Sequence, residues 1–131
     1  MPDPSSTTGA SSLCDPRSLQ RAAQAMRCLP LQRAFYALVD QQAIGSQELS
    51  QHPQADQLCR QRLGWEQLED QFIWLIQLGV LRREVDGQGL THRVRLTPMG
   101  RQLLLQWPDA IPPAGPLGRL LHGLRRRRPR L

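Results

Sequence analysis

At 131 residues and 40% hydrophobic, the chain has material for one modest domain with tails, and no stretch of it is apolar and long enough to span a bilayer. All 17 basic residues are arginine, against 11 carboxylates, which gives a formal charge of +6. Most of the excess is terminal: residues 15–107 hold 11 arginines and 9 carboxylates, whereas 108–131 hold 6 arginines and Asp109, so a wholly basic nucleic-acid-binding domain is excluded.

Residues 1–14 are small, polar and proline-bearing, without the basic start and apolar centre of a secretory signal. They predict a disordered tail and a cytoplasmic protein. Asp15-Pro16 opens the first helix, because Asp accepts from free N–H groups and Pro suits the first helical position. Leu19, Ala22, Ala23 and Met26 follow at helical spacing, and Pro30 ends the element.

Over 31–42 the apolar residues Leu31, Ala34, Phe35, Leu38 and Val39 predict a second helix with one buried stripe. Ser46 is the expected cap of a short helix through Ser50, and Pro53 stops it. Another helical turn or two is expected over 55–63. The segment 65–78 predicts the next helix, with Trp65, Leu68, Phe72, Leu75 and Ile76 toward the core and Gly79 taking the left-handed turn after it. Extended runs over 80–85 and 90–96, joined by Asp86-Gly87-Gln88-Gly89, predict a hairpin. Alternation in the second run points Leu90, His92, Val94 and Leu96 inward. Thr97-Pro98 caps a last helix to about residue 107, with Met99, Leu103 and Trp107 in line.

The order helix, short helix, helix, hairpin, helix is that of a winged helix-turn-helix domain. The stretch LIQLGVLRREVDGQGLTHRVRLTPMGRQLL resembles the recognition-helix end, wing and following helix of MarR-like and PadR-like regulators. Leu75, Leu78 and Gly79 match the turn into the wing. Leu96, Thr97, Gly100 and Arg101 match the start of the helix after it. The resemblance covers residues 31–107 and is strongest from Leu75 onward. It implies a mostly α fold with a small β-hairpin (α+β class), a winged domain over 15–107 between flexible tails, DNA as partner, transcription regulation, and homodimerisation through the first or final helix.

Under that resemblance the helix from Trp65 would lie in the major groove, with Gln67 and Gln71 as base readers. Arg82, Arg83, Arg93 and Arg95 on the wing would contact the backbone. The same helix carries Glu66, Glu69 and Asp70 and no cation, which opposes a phosphate surface. With Ile73 and Trp74 it is apolar around much of its circumference, which suits core packing against the first helix and, as the alternative, a partner surface, so a second reading stands beside the first. In that reading the domain is a protein-interaction module whose partner surface is Glu66, Glu69, Asp70, Ile73 and Trp74. The hairpin arginines then serve as a solvated face that discourages edge pairing.

Residues 108–116 predict a proline-rich linker. After it, Leu117, Leu120, Leu121 and Leu124 recur at helical spacing before Arg125, Arg126, Arg127 and Arg128, a pattern suited to an anionic surface and too short for stable membrane anchoring. No catalytic constellation is expected: His52, His92 and His122 lie in separate segments, and no nucleophile elbow or phosphate loop occurs. His92 is expected inward and partly buried. Cys14, Cys28 and Cys59 are odd in number and widely spaced, so they read as reduced thiols and not as zinc ligands, and no metal or cofactor is expected.

Overall fold

A computed structural model describes residues 15–112. Its helices are α1 (Pro16–Cys28), α2 (Arg33–Gln41), α3 (Ser46–Ser50), α4 (Ala55–Leu58), α5 (Trp65–Gln77) and α6 (Pro98–Leu104), and strands β1 (Leu81–Asp86) and β2 (Gly89–Leu96) separate the last two. The class is mostly α with one antiparallel hairpin, as the periodicity indicates. The expected tail over 1–14 and the leucine-arginine segment over 117–128 lie outside the described residues.

Local chemistry sets the helix ends. The Asp15 carboxylate accepts from the Ser18 N–H at 3.0 Å and the Ser18 hydroxyl at 2.7 Å, and these bonds hold its pKa below the ordinary carboxylate value. Ser46, expected as a cap, is instead the first residue of α3 and is buried. The cap is Gly45, whose N–H donates to Glu48 Oε1 at 2.9 Å. Gly79 has φ +86°, which an L side chain rarely adopts, and it turns the chain from α5 into the hairpin. The Thr97 hydroxyl accepts from the Gly100 N–H at 3.1 Å and also lies against the carbonyls of Gly79 and Val80. One side chain thus caps α6 and ties it to the α5–β1 turn.

The hairpin is joined to the helices by backbone. Ile44 and Val94 exchange two hydrogen bonds, of 3.2 and 2.9 Å, so the loop before α3 pairs with β2. Leu31 and Cys59 form a second isolated bridge, between the entry to α2 and the exit from α4. The core between them contains Met26, Leu31, Phe35, Tyr36, Val39, Leu49, Leu68, Phe72, Leu75, Val80, Leu81, Val94 and Leu103. Phe35 and Phe72 stack with ring centroids 5.6 Å apart, joining α2 to α5.

Several side chains differ from their sequence expectation. In α2 the buried positions are Phe35, Tyr36 and Val39, while Ala34 is exposed, because the helix packs against β2, α4 and α6 and Ala34 faces away from them. Inward alternation in β2 holds for Val94 and Leu96 but not for Leu90 or His92, both of which are exposed, although the His92 ring lies against Gly45 at the start of α3. Trp65 is exposed at the first position of α5. Helix α6 ends at Leu104. The segment after it does not leave the domain at once: Ile111 is buried in the core, and carbonyls of residues 107, 111 and 112 accept from Arg33, Arg60 and Arg27. Cys59 is buried, and that burial raises its thiol pKa; Cys28 is half-buried, and the two form no disulfide among the described residues.

Candidate functional site

Helix α5 carries both sets of candidate residues, so its rotation decides between them. Each residue advances about 100° around the axis. Leu68, Gln71, Phe72 and Leu75 fall on the buried arc. Glu66, Asp70, Ile73 and Gln77 fall opposite, in solvent; Trp65 lies in line with Phe72 and Ile76 instead, and is exposed because it begins the helix. Trp65 is 45% and Ile73 41% exposed, so both are open to solvent in this domain.

Among the five candidate partner residues, Glu66, Asp70 and Ile73 share the outward face. Trp74 is half-buried and packs against the core. Glu69 turns to the hairpin and pairs with the Arg83 guanidinium through a short hydrogen bond. Neither Glu66 nor Asp70 has an ion-pair partner among the described residues.

The base-reading candidates fare differently. Gln67 is exposed, but its carboxamide oxygen accepts from the Gly64 N–H at 3.1 Å and so is used to cap the helix. Gln71 is 7% exposed, so its carboxamide cannot be presented to a groove as expected. Counting residues along the helix leaves Gln71 beside Phe72 and Leu75 on the inner arc, and its polarity alone suggested otherwise. The buried Gln71 oxygen has no hydrogen-bond partner among the described residues. Gln71→Met keeps length and flexibility while removing that unpaired acceptor, and it should raise stability by about 1 kcal/mol. A urea denaturation series checks this: an unchanged or lower midpoint would show that the carboxamide is paired in solution.

The hairpin arginines are mostly engaged within the molecule. Leu81 faces Leu96, Arg82 faces Arg95 and Arg83 faces Val94, after which the register shifts before Val85 pairs with Leu90. Residues 91–93 bulge opposite Glu84. The Thr91 hydroxyl donates to the Glu84 carbonyl at 2.9 Å and accepts from the Arg93 N–H at 3.2 Å, while Arg83 Nη1 donates to the His92 carbonyl at 2.7 Å. These side chains satisfy backbone groups that the bulge leaves out of the ladder. The Glu84 carboxylate accepts from Arg95 Nε at 2.8 Å, with Arg82 3.9 Å away. Arg93 alone of the four has no carboxylate partner among the described residues. Arg125, Arg126, Arg127 and Arg128 lie outside the described residues.

Two features had no expectation attached. Tyr36 is fully buried with its hydroxyl unpartnered among the described residues, and burial raises its pKa strongly. The second is the clasp on the chain after α6. Arg27 Nε donates to the Pro112 carbonyl at 3.2 Å and Arg60 Nη2 to the Ile111 carbonyl at 3.3 Å. Ile111 was the available signal, as the one large apolar residue in the proline-rich run 108–116.

Among the described residues no group of three or more His, Cys, Asp or Glu side chains is placed to hold a metal ion, and no helix is long and apolar enough to cross a membrane. No curated protein and no solved structure matches the chain. The Npun_F0494-like family model matches residues 13–126, most of the 131, and the chain belongs to that family.

Proposed function

We propose that the chain is a cytoplasmic, non-catalytic winged-helix module whose outward α5 face binds a basic, apolar-bearing protein segment. The observation that carries this reading is the composition of that face: Glu66 and Asp70, without cationic partners among the described residues, sit beside the exposed Ile73. A surface pairing an apolar side chain with carboxylates is complementary to leucine and arginine on a partner. It is poorly matched to phosphates, which are bound largely by Arg and Lys. The winged-helix assignment is supported by the element order and by the Ile44–Val94 pairing that fixes the hairpin beside the helices.

Arg93 favours a second reading, DNA binding through the wing in a transcription regulator. It stands on the same strand as Arg95 and lacks a carboxylate partner among the described residues.

One experiment separates the two. The full chain is titrated by fluorescence anisotropy with a labelled leucine-arginine peptide and, separately, with random and upstream genomic duplexes across a salt series. Peptide affinity that falls at least tenfold in the Glu66→Arg plus Asp70→Arg variant supports the protein-binding reading. Sequence-dependent duplex binding that survives this variant but is lost in Arg93→Glu plus Arg95→Glu would replace it with the DNA reading.

A further inference from the structure

The hairpin carries an open edge. Val94 exchanges both its backbone hydrogen bonds with Ile44, at 3.2 and 2.9 Å, so its N–H and carbonyl point away from β1. Arg83, which faces Val94 across the ladder, therefore points its own N–H and carbonyl away from β2. The Glu84 carbonyl turns toward β2, where the Thr91 hydroxyl donates to it, and alternation turns the N–H and carbonyl of Val85 outward again. Among the described residues no other backbone pairs with this edge, and the Arg83 carbonyl accepts only from Arg82 Nη1, at 3.5 Å. The extra residues of the bulge lie on β2 and not on β1, so they do not blunt this edge.

Beside that edge lies an apolar cleft. The Val80 N–H donates to the Leu75 carbonyl at 2.9 Å and Arg83 pairs with Glu69, so β1 runs back along α5 in the opposite direction. One step beyond the ion pair, Trp65 stands a turn from Glu69 on the same side of the helix. Val85 stands two residues from Arg83 on the same face of the strand. Each step covers about 6 Å, which brings Trp65 and Val85 level. Leu90 faces Val85 across the ladder. Trp65, Val85 and Leu90 are 45%, 60% and 75% exposed, three of the five large apolar side chains left open among the described residues, so the exposed apolar surface concentrates here. Glu66 and Asp86, their chain neighbours, supply an acidic rim on each side, whereas Arg83 at the floor is neutralised by Glu69.

We infer that the β1 edge and this cleft together receive an extended segment of a partner protein, added as a third strand, with apolar residues at alternate positions and basic residues at its ends. The N–H and carbonyl groups of Arg83 and Val85 supply the ladder bonds, which give affinity without regard to sequence. Alternate side chains of the segment project toward Trp65, Val85 and Leu90 and must be apolar. Glu66 and Asp86 favour cationic ends and oppose phosphate. The inference rests on the reading of the domain as a module for a basic, apolar-bearing protein segment. It adds the hairpin side of α5 to the docking surface and fixes the conformation of the segment.

The test titrates the full chain with a labelled peptide of alternating leucine and threonine flanked by arginines, followed by anisotropy and amide NMR. The expected result is a set of shifts over residues 82–86 and at Trp65 and Leu90, with slowed amide exchange at Arg83 and Val85. Leu90→Lys, at an exposed site, should weaken peptide binding by about tenfold or more. Val85→Pro removes an outward N–H and no bond of the hairpin's own ladder, and should weaken it by about as much. Shifts confined to Glu66, Asp70 and Ile73, with affinity unchanged in both variants, would overturn strand addition and leave the outward α5 face as the docking surface. No shifts anywhere would remove both. Shifts over β1 that grow with protein concentration in the absence of peptide would also overturn the inference, by giving the edge to a second copy.

Discussion

Phe72→Ala is expected to cost about 4 kcal/mol, among the larger losses of any single truncation in this domain. Phe72 is fully buried and stacks on Phe35, which itself meets Tyr36 edge-on with centroids 5.1 Å apart. Removing the ring forfeits its burial, leaves a cavity between α2 and α5, and breaks an aromatic pair worth about 1 kcal/mol beyond the buried area. Small domains are stable by only about 5–15 kcal/mol, so the variant should sit at the low end of that range or below it. Urea denaturation with a preserved slope measures the loss directly. The neighbouring Ile73→Ala, on the solvent side, should cost less than about 1 kcal/mol. Equal costs for the two would mean that α5 is rotated from the orientation described, and the outward face would lose its definition with it.

Gly100→Ala should destabilise by about 2 kcal/mol, even though alanine is the better helix former. A Cβ at Gly100 would lie 2.6 Å from Leu96 Cδ1 and 2.6 Å from the Val80 carbonyl oxygen. The leucine could rotate, but the carbonyl cannot retreat, since it accepts from the Thr97 N–H at 3.0 Å and faces the Thr97 hydroxyl. Overpacking of this kind costs about 3 kcal/mol and exceeds the gain of about 1 kcal/mol in helix propensity. Gly87→Ala is the control: nothing lies within 4 Å of that position, and the expected change is within about 0.5 kcal/mol. A thermal melt showing the two variants alike would contradict the close approach of α6 to the β1 entry.

Both substitutions bear on function through position. Phe72 turns α5 so that Glu66, Asp70 and Ile73 face solvent, while Gly100 lets α6 approach closely enough for Thr97 to anchor the hairpin. A loss of peptide binding in either variant would therefore be structural in origin. The Glu66→Arg plus Asp70→Arg variant tests the surface itself, because both side chains are exposed and make no ion pair among the described residues.

Much of this architecture was legible in the amino-acid order, wherever the controlling chemistry is local. Asp15-Pro16, Gly79 and Thr97-Pro98 mark element ends because a cap, a left-handed turn or a fixed φ acts within a few residues. The hairpin followed from its glycine-rich turn and the mostly α class from helical spacing. What needed the tertiary structure is everything decided by a partner distant in sequence. Gln71 is polar, yet its angle on α5 places it among core residues, and Trp65 is apolar, yet it begins the helix where no element covers it. Four hairpin arginines form one group in the sequence. Only folding assigns Arg83 to Glu69 and Arg95 to Glu84 and leaves Arg93 unpaired among the described residues. The run after Trp107 looks like a linker until Arg27 and Arg60 close on its carbonyls. Composition and periodicity register which residue types are near in the chain. Ion pairing and burial depend on which surfaces the fold brings together, and these determined the character of the α5 face.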